Sequence, residues 1–177
     1  MFKFFANKIF TPQERVIFRF LRRGQIFEKM NDSELAEFLP YLHPRRYAIN
    51  EAIFFRGDPS QALYIIKSGE IILNLDVQDK FEELLRLRTG DSFGDNAVLE
   101  GTKRSFNAIA ATDNCEIYVI AQVNILAIFD ENTEIRAKML TAFARYYDRY
   151  VSHIVRAYRD NFGFFELGKA YLGAKRE

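Results

Sequence analysis

The stretch from Phe93 to Ala108 reads FGDNAVLEGTKRSFNA and is the most informative segment of the chain. It contains two glycines, with Asp95 directly after the first and Arg104 after the second. A short helical turn in its middle would leave backbone N–H groups unpaired at its start, and such groups attract an anion. The guanidinium of Arg104 suits the same ligand, because its planar fork of donors matches a phosphate. The segment therefore predicts an anion cradle beside a carboxylate that can accept from hydroxyl groups.

This segment resembles the phosphate-binding cassette of cyclic nucleotide-binding domains, the family of the catabolite activator protein and the protein kinase A regulatory subunit. Three parts match in order: Phe93-Gly94-Asp95, the turn Gly101-Thr102-Lys103 and the pair Arg104-Ser105. Three flanking glycines also match: Gly57, Gly69 and Gly90. With them, the resemblance extends over residues 29–159. The resemblance implies a mainly β fold, an eight-stranded antiparallel jelly roll with N-terminal helices and a long C-terminal helix.

The resemblance also implies a ligand, cAMP or cGMP. Arg104 and the backbone amides around residues 96–98 would meet the cyclic phosphate. Asp95 would accept from the ribose 2′-hydroxyl, where the family has the longer Glu, so this bond would be longer or pass through a water. The candidate ligand-binding residues are Gly94, Asp95, Asn96, Ala97, Val98, Arg104, Ser105 and Phe106.

Each of these residues has an alternative interpretation. Arg104 could instead form a structural ion pair on the sheet, and Asp95 could cap a helix. Asn96 and Phe106 depart from the family pattern, which has an apolar and a small residue there. Phe106 could stack on a purine or fill the pocket, and a filled pocket would leave a degenerate fold that acts as a structural or protein-interaction module. Asp95 and Asn96 together also permit a different anion.

Composition excludes several classes of protein. The chain has 177 residues, 49% of them hydrophobic, so we expect a packed core and no disorder. A net charge of +1 argues against a globally basic nucleic-acid binder. The only cysteine, Cys115, cannot form an internal disulfide and is expected to be buried and inert. Without a long apolar run or a signal-peptide pattern, we expect a cytoplasmic location and no transmembrane segment.

The chain divides into four expected parts. Residues 1–44 form an N-terminal helical segment, in which Thr11 and Asn31 begin helices. Residues 45–121 carry short apolar runs separated by turn residues about every ten positions, which is typical of an antiparallel roll. Residues 122–160 form the C-terminal helices, and residues 161–177 are an aromatic tail.

The helix expected from Thr133 to Tyr158 carries a wide apolar stripe. Its members recur at spacings of three and four and are Ile135, Met139, Phe143, Tyr146, Tyr147, Tyr150, Ile154 and Tyr158. We expect a homodimer through this helix, with packing on its own domain as the alternative. A break at residues 130–133 would act as a hinge, with Thr133 capping the long helix.

Other features have weaker interpretations. The aromatic and basic residues 1–10 could pack on the domain or attach to a membrane surface. Bacterial regulators of this family carry a helix-turn-helix module after the long helix, and the chain lacks the length for one, so no DNA partner is expected. An unknown protein partner is expected instead. His43 and His153 have no metal-ligand spacing, no cofactor is expected, and without a nucleophile–base pattern we expect no enzyme activity.

Overall fold

Eight antiparallel strands form two sheets in the part of the chain that the structure, a computed structural model, describes: residues 9–77 and 80–162. The strands are β1 (His43–Tyr47), β2 (Ala52–Phe54), β3 (Ala62–Ser68), β4 (Glu70–Val77), β5 (Lys80–Arg88), β6 (Ser92–Phe93), β7 (Asn107–Ala110) and β8 (Cys115–Ala121). The helices are α1 (Pro12–Leu21), α2 (Asp32–Ala36), α3 (Gln122–Glu131) and α4 (Thr133–Phe162), with 3-10 turns at Leu39–Tyr41 and Asp95–Val98.

The strand order is that of a roll. One sheet runs β1-β8-β3-β6 and the other β2-β7-β4-β5, and all pairs are antiparallel. The core cluster consists of Phe54, Ile66, Ile71, Leu73, Leu87, Phe93, Ala108, Ala110, Cys115 and Ile117. Residues from both sheets contribute to it, so the apolar runs that predicted the strands also supply the hydrophobic core. The expected jelly roll is confirmed.

Two strands were not predicted because each lacks an apolar run. Strand β1 has the polar sequence HPRRY and is mostly exposed, and β6 is only two residues long. Pairing with a neighbour makes them strands: His43 lies opposite Val119 and Phe93 opposite Tyr64. The thiol of Cys115 is buried as expected, with 3.3 Å from its Sγ to the carbonyl oxygen of Ser68.

The helix starts follow the predicted capping chemistry at α1 and α2. Thr11 accepts from the backbone N–H of Glu14 at 3.2 Å, and Asn31 from that of Glu34 at 3.0 Å. At α4 the predicted cap, Thr133, is wrong. The side chain of Asn132 accepts from the N–H groups of residues 134 and 135, both at 3.1 Å. Asparagine accepts well at this position, and Thr133 is already the first helical residue.

A buried carboxylate connects the start of α4 to α2. Glu34 is 6% exposed, and its Oε2 accepts from the backbone N–H of Asn31. Its Oε1 lies 2.6 Å from the ammonium nitrogen of Lys138, which also pairs with Glu134. Helix α4 is therefore fixed to the N-terminal helices near its first turns.

The chain separates into two compact units, residues 1–142 and 143–177. The first contains the roll, and the described part of the second is the remainder of α4. On that part, Tyr147, Tyr150, Val151, Ile154 and Val155 are between 40% and 56% exposed. Residues 1–8 and 163–177, including most of the predicted aromatic tail, lie outside the described residues.

Candidate functional site

The predicted cassette forms the connection between β6 and β7. Gly94 has φ +74°, in the left-handed region, and is followed by the 3-10 turn Asp95–Val98. A Cβ atom at Gly94 would lie 2.7 Å from Nη1 of Arg104 and 2.9 Å from the carbonyl oxygen of Ala62. Only glycine allows both this conformation and this close approach.

Arg104 turns into the protein and is 4% exposed. Its Nη2 donates to the carbonyl oxygen of Ala62 at 2.7 Å. Its Nη1 donates to the carbonyl oxygen of Gly94 at 3.1 Å and lies 3.2 Å from Oδ1 of Asn96. The guanidinium therefore joins β3 to Gly94 and to Asn96 in the turn that follows it.

Aromatic rings line the inner side of this guanidinium. Its central carbon lies 4.3 Å from the ring centroid of Phe54 and 5.4 Å from that of Tyr64, and Tyr64 stacks on Phe93 at 4.9 Å. Cation–π attraction stabilises a charge in such a position. The Nε atom is buried and has no acceptor among the described residues.

Burial opposes charge on two side chains of the cassette, Asp95 and Arg104. It lowers the pKa of Arg104, while Tyr64 and Asp95 act in the opposite direction. Burial also raises the pKa of Asp95. A hydrogen bond from that residue's own backbone and the charge of Arg104 oppose this shift in part. The guanidinium remains protonated at neutral pH, so its charge is kept in a position where charge is costly.

Asn96, one of the departures from the family pattern, fixes the cassette internally. Its Oδ1 accepts from the hydroxyl of Ser60 at 2.7 Å, and its Nδ2 donates to the carbonyl oxygen of Lys103 at 2.7 Å. The hydroxyl of Thr102 donates to the backbone oxygen of Asn96 at 2.8 Å. An apolar residue could not make the two side-chain bonds, to Ser60 and Lys103.

The remaining predicted residues occupy different positions. Ala97 is buried in the turn, and its N–H donates to the carbonyl oxygen of Gly94 at 3.0 Å. Val98 is half-buried and Ser105 is exposed. Phe106 is half-buried and packs against the core cluster. The structure thus brings Gly94, Asn96 and Arg104 into contact, while Ser105 lies at the surface.

Sequence reasoning missed Gln122, the first residue of α3. Its side-chain amide donates to the carbonyl oxygens of Ala97 and Leu99 at 2.7 and 3.0 Å. It therefore ties the end of the cassette turn directly to the C-terminal helices. A polar residue at the junction of an apolar strand and an apolar helix was the available signal. Phe54, Ser60 and Tyr64 were missed because they are distant from the cassette in sequence.

Within residues 9–77 and 80–162, no cluster of three or more His, Cys, Asp or Glu side chains is arranged to hold a metal ion. The helices in those ranges are all too short or too polar to cross a membrane.

A β-roll with a glycine-initiated turn and an inward arginine between two of its strands defines the class of this protein. Residues 44–132, half of the chain, match the sequence profile of the cyclic nucleotide-binding domain. The chain belongs to the cyclic nucleotide-binding domain family.

Two relatives support this assignment. The chain is 30% identical to the cyclic AMP receptor protein of Thermus thermophilus over 111 residues, 61% of this chain and 50% of the relative. It is 29% identical to a cAMP-dependent protein kinase regulatory subunit of Mycosarcoma maydis over 104 residues, 58% of this chain but only 20% of the relative. The chain thus spans half or less of the length of these relatives.

A crystal structure of another protein shows the same fold. The crystal structure of Thermus thermophilus catabolite activator protein superimposes with a TM-score of 0.65 at 25% identity, covering 75% of this chain and 62% of the other.

Proposed function

We propose that this chain is a regulatory module that binds a cyclic nucleotide, cAMP or cGMP, at Arg104 and has no catalytic activity. Family membership supports the ligand class, and the names of two relatives refer to cyclic AMP. In this proposal residues 45–121 are the sensor, residues 122–160 are the output helices, and the location is cytoplasmic. The proposal includes no DNA partner.

The observation that carries the proposal is the buried, unpaired Nε–H of Arg104. Its neighbours Nη1 and Nη2 donate to neutral oxygens, which leave the positive charge without full compensation. A phosphate supplies both a negative charge and acceptor oxygens. Charge-assisted hydrogen bonds are about twice as strong as neutral ones, so a cyclic phosphate competes well with the carbonyl groups now bound.

The other cassette residues take secondary roles. Asp95, when ionised, accepts from the ribose hydroxyl. Ser105 donates to the phosphate or the base, and the exposed part of the Phe106 ring stacks on the purine. The backbone amides of residues 96–98 contribute less than the sequence suggested, because the N–H of Ala97 is already used within the turn.

The proposed output is a population shift in the C-terminal helices. A ligand that draws Arg104 away from Gly94 and Asn96 moves the turn whose carbonyl groups accept from Gln122. Helix α3 then moves with the turn, and the break at residues 130–133 lets α4 change its position. The contact between Lys138 and Glu34 opposes this motion, so it stabilises the unliganded state.

Isothermal titration calorimetry with cAMP and cGMP tests the proposal. We expect micromolar or tighter binding of one nucleotide by the unmodified chain and no measurable binding by Arg104→Ala. Arg45→Ala is a matched control, because Arg45 is an exposed arginine on β1 outside the cassette. Absence of heat with both nucleotides, or equal binding by Arg104→Ala, would rule the proposal out.

A second candidate function is a structural or protein-interaction module that binds no nucleotide. The observation in its favour is that two nitrogens of Arg104 already donate to protein oxygens while aromatic rings cover its inner side. In that case Arg104 serves only to connect β3 to the cassette. Calorimetry separates the two candidates, because this one predicts no heat with either nucleotide.

We also propose that the chain forms a homodimer through α4. The supporting observation is one exposed stripe, Tyr147, Tyr150, Val151, Ile154 and Val155, whose spacing follows the helical repeat. Analytical ultracentrifugation should give twice the monomer mass for the unmodified chain and the monomer mass for Val151→Asp/Ile154→Asp. A monomeric unmodified chain would contradict the dimer.

A further inference from the structure

A cleft on the N-terminal helices carries uncompensated positive charge. It has a volume of about 210 Å³ and is lined by Arg15, Arg19, Arg22 and Asp32. It contains none of the cassette residues. Arg15 and Arg19 of α1 and Arg22 at its C-terminal cap therefore face a single carboxylate, and the formal charge of the lining is +2.

Among the described residues, Arg22 is the one arginine of the cleft that forms an ion pair. Arg22 forms an ion pair with Asp32, and its Nε donates to the carbonyl oxygen of Met30 at 3.0 Å. The Nε of Arg15 lies 3.4 Å from the carbonyl oxygen of Phe10, a long hydrogen bond. Within the described part of the chain, no acceptor contacts the guanidinium of Arg19. The ion pair with Asp32 thus holds Arg22 at one wall of the cleft. The guanidinium groups of Arg15 and Arg19 remain for a ligand.

The spacing of these residues costs stability unless an anion is present. Arg15, Arg19 and Arg22 lie at positions i, i+4 and i+7, which places them on one face of α1. Like charges at such spacings destabilise a helix. An oxyanion between the guanidinium groups removes this repulsion and accepts from their free N–H groups.

The size of the cleft restricts the ligand. Pockets for drug-sized molecules have volumes of about 300–1,000 Å³, so this cleft suits a phosphate group and not a whole nucleotide. We propose that it binds a phosphate oxyanion, held by Arg15 and Arg19 with Arg22 behind them. Soluble phosphate and a phospholipid headgroup share this chemistry. Ile9, 91% exposed, adjoins Phe10, whose carbonyl oxygen contacts Arg15, and Val16, 55% exposed, directly follows Arg15. These exposed apolar side chains favour the headgroup as the source.

Two binding experiments test the site and distinguish the sources. The first titrates inorganic phosphate into the full chain at constant ionic strength, followed by ³¹P NMR. The second measures cosedimentation with phosphatidylcholine vesicles that contain or lack phosphatidic acid. The test variant is Arg15→Gln/Arg19→Gln, and Arg23→Gln/Arg136→Gln is the control with the same net charge at exposed positions outside the cleft.

We expect the test variant to bind at least about tenfold more weakly and the control to bind like the unmodified chain. Binding to vesicles with phosphatidic acid identifies the headgroup as the source, and binding of inorganic phosphate alone identifies a soluble ligand. The site is overturned if the unmodified chain binds neither probe, or if the two double variants weaken binding equally. Circular dichroism confirms folding, and neither result affects the test of nucleotide binding at Arg104.

Discussion

The two arginine sites of this protein differ in how far their positive charge is exposed to solvent. Arg104 is one guanidinium, 4% exposed, held by backbone oxygens and aromatic rings. The arginines of α1 are three exposed or half-buried groups around an open cleft. A buried charge forms strong interactions but is costly to leave unpaired, whereas exposed charges are solvated and contribute little to stability. The first site is therefore expected to govern both stability and nucleotide binding, and the second mainly the binding of its own anion.

The largest expected effect is at Arg104. Arg104→Ala leaves the carbonyl group of Ala62 without its partner and opens a void against Phe54, so we expect it to lower the free energy of unfolding by about 2–4 kcal/mol. Arg19→Ala should change that free energy by less than about 0.5 kcal/mol. Urea unfolding of both variants measures the difference. Equal effects would contradict the contrast between the two sites.

Gly94→Ala should have the next largest effect. The left-handed conformation costs an alanine about 1–2 kcal/mol, and its methyl group meets Nη1 of Arg104 and the oxygen of Ala62. We expect a loss of about 2–3 kcal/mol in the free energy of unfolding, together with weaker nucleotide binding. Gly57→Ala is the matched control, because that glycine also has a positive φ but nothing within 4 Å of the added methyl group. A loss equal to that of the control would show that Arg104 does not pack on Gly94.

Gln122→Ala should cost about 1 kcal/mol of stability, because it removes hydrogen bonds to Ala97 and Leu99 at the protein surface. Its larger effect should be on the coupling between nucleotide binding and the helices α3 and α4. Hydrogen exchange of α3 and α4 should respond to nucleotide in the unmodified chain and much less in the variant. An unchanged response would mean that the signal does not pass through this side chain.

The smallest expected effect concerns pH. Burial raises the pKa of Asp95 above its unfolded value, so the native state binds more protons than the unfolded state between the two values. Stability contributed by this group is therefore present at low pH and lost as pH rises through that interval. Asp95→Asn should remove this dependence and raise the melting temperature at pH 7. A melting temperature lowered by the substitution would contradict this assignment.

Local patterns of the sequence predicted most of the fold. The strands with apolar runs, the capping boxes of α1 and α2 and the cassette turn all depend on neighbouring residues. The strands β1 and β6 depend on partners distant in sequence, and neither contains a pattern that reveals them. The cap of α4 was misplaced by one residue because Asn132 and Thr133 are both good caps.

The candidate site was predicted only in part. The sequence identified Arg104 and the turn, but not the direction of the guanidinium, which depends on Ala62, Phe54 and Tyr64 in other strands. Asn96 was interpreted as a departure from the family pattern, and its hydrogen bonds within the cassette were not predicted. The role of Gln122 follows only from the approach of α3 to the turn.

The most direct test of the central claim is the NMR signal of the Arg104 Nε–H, assigned by its loss in Arg104→Lys. Addition of cAMP or cGMP should move this signal strongly downfield, because a phosphate oxygen becomes the acceptor of a proton that now has none. A nucleotide that binds without changing this signal, or no binding at all, would contradict the claim that Arg104 is the phosphate-binding group.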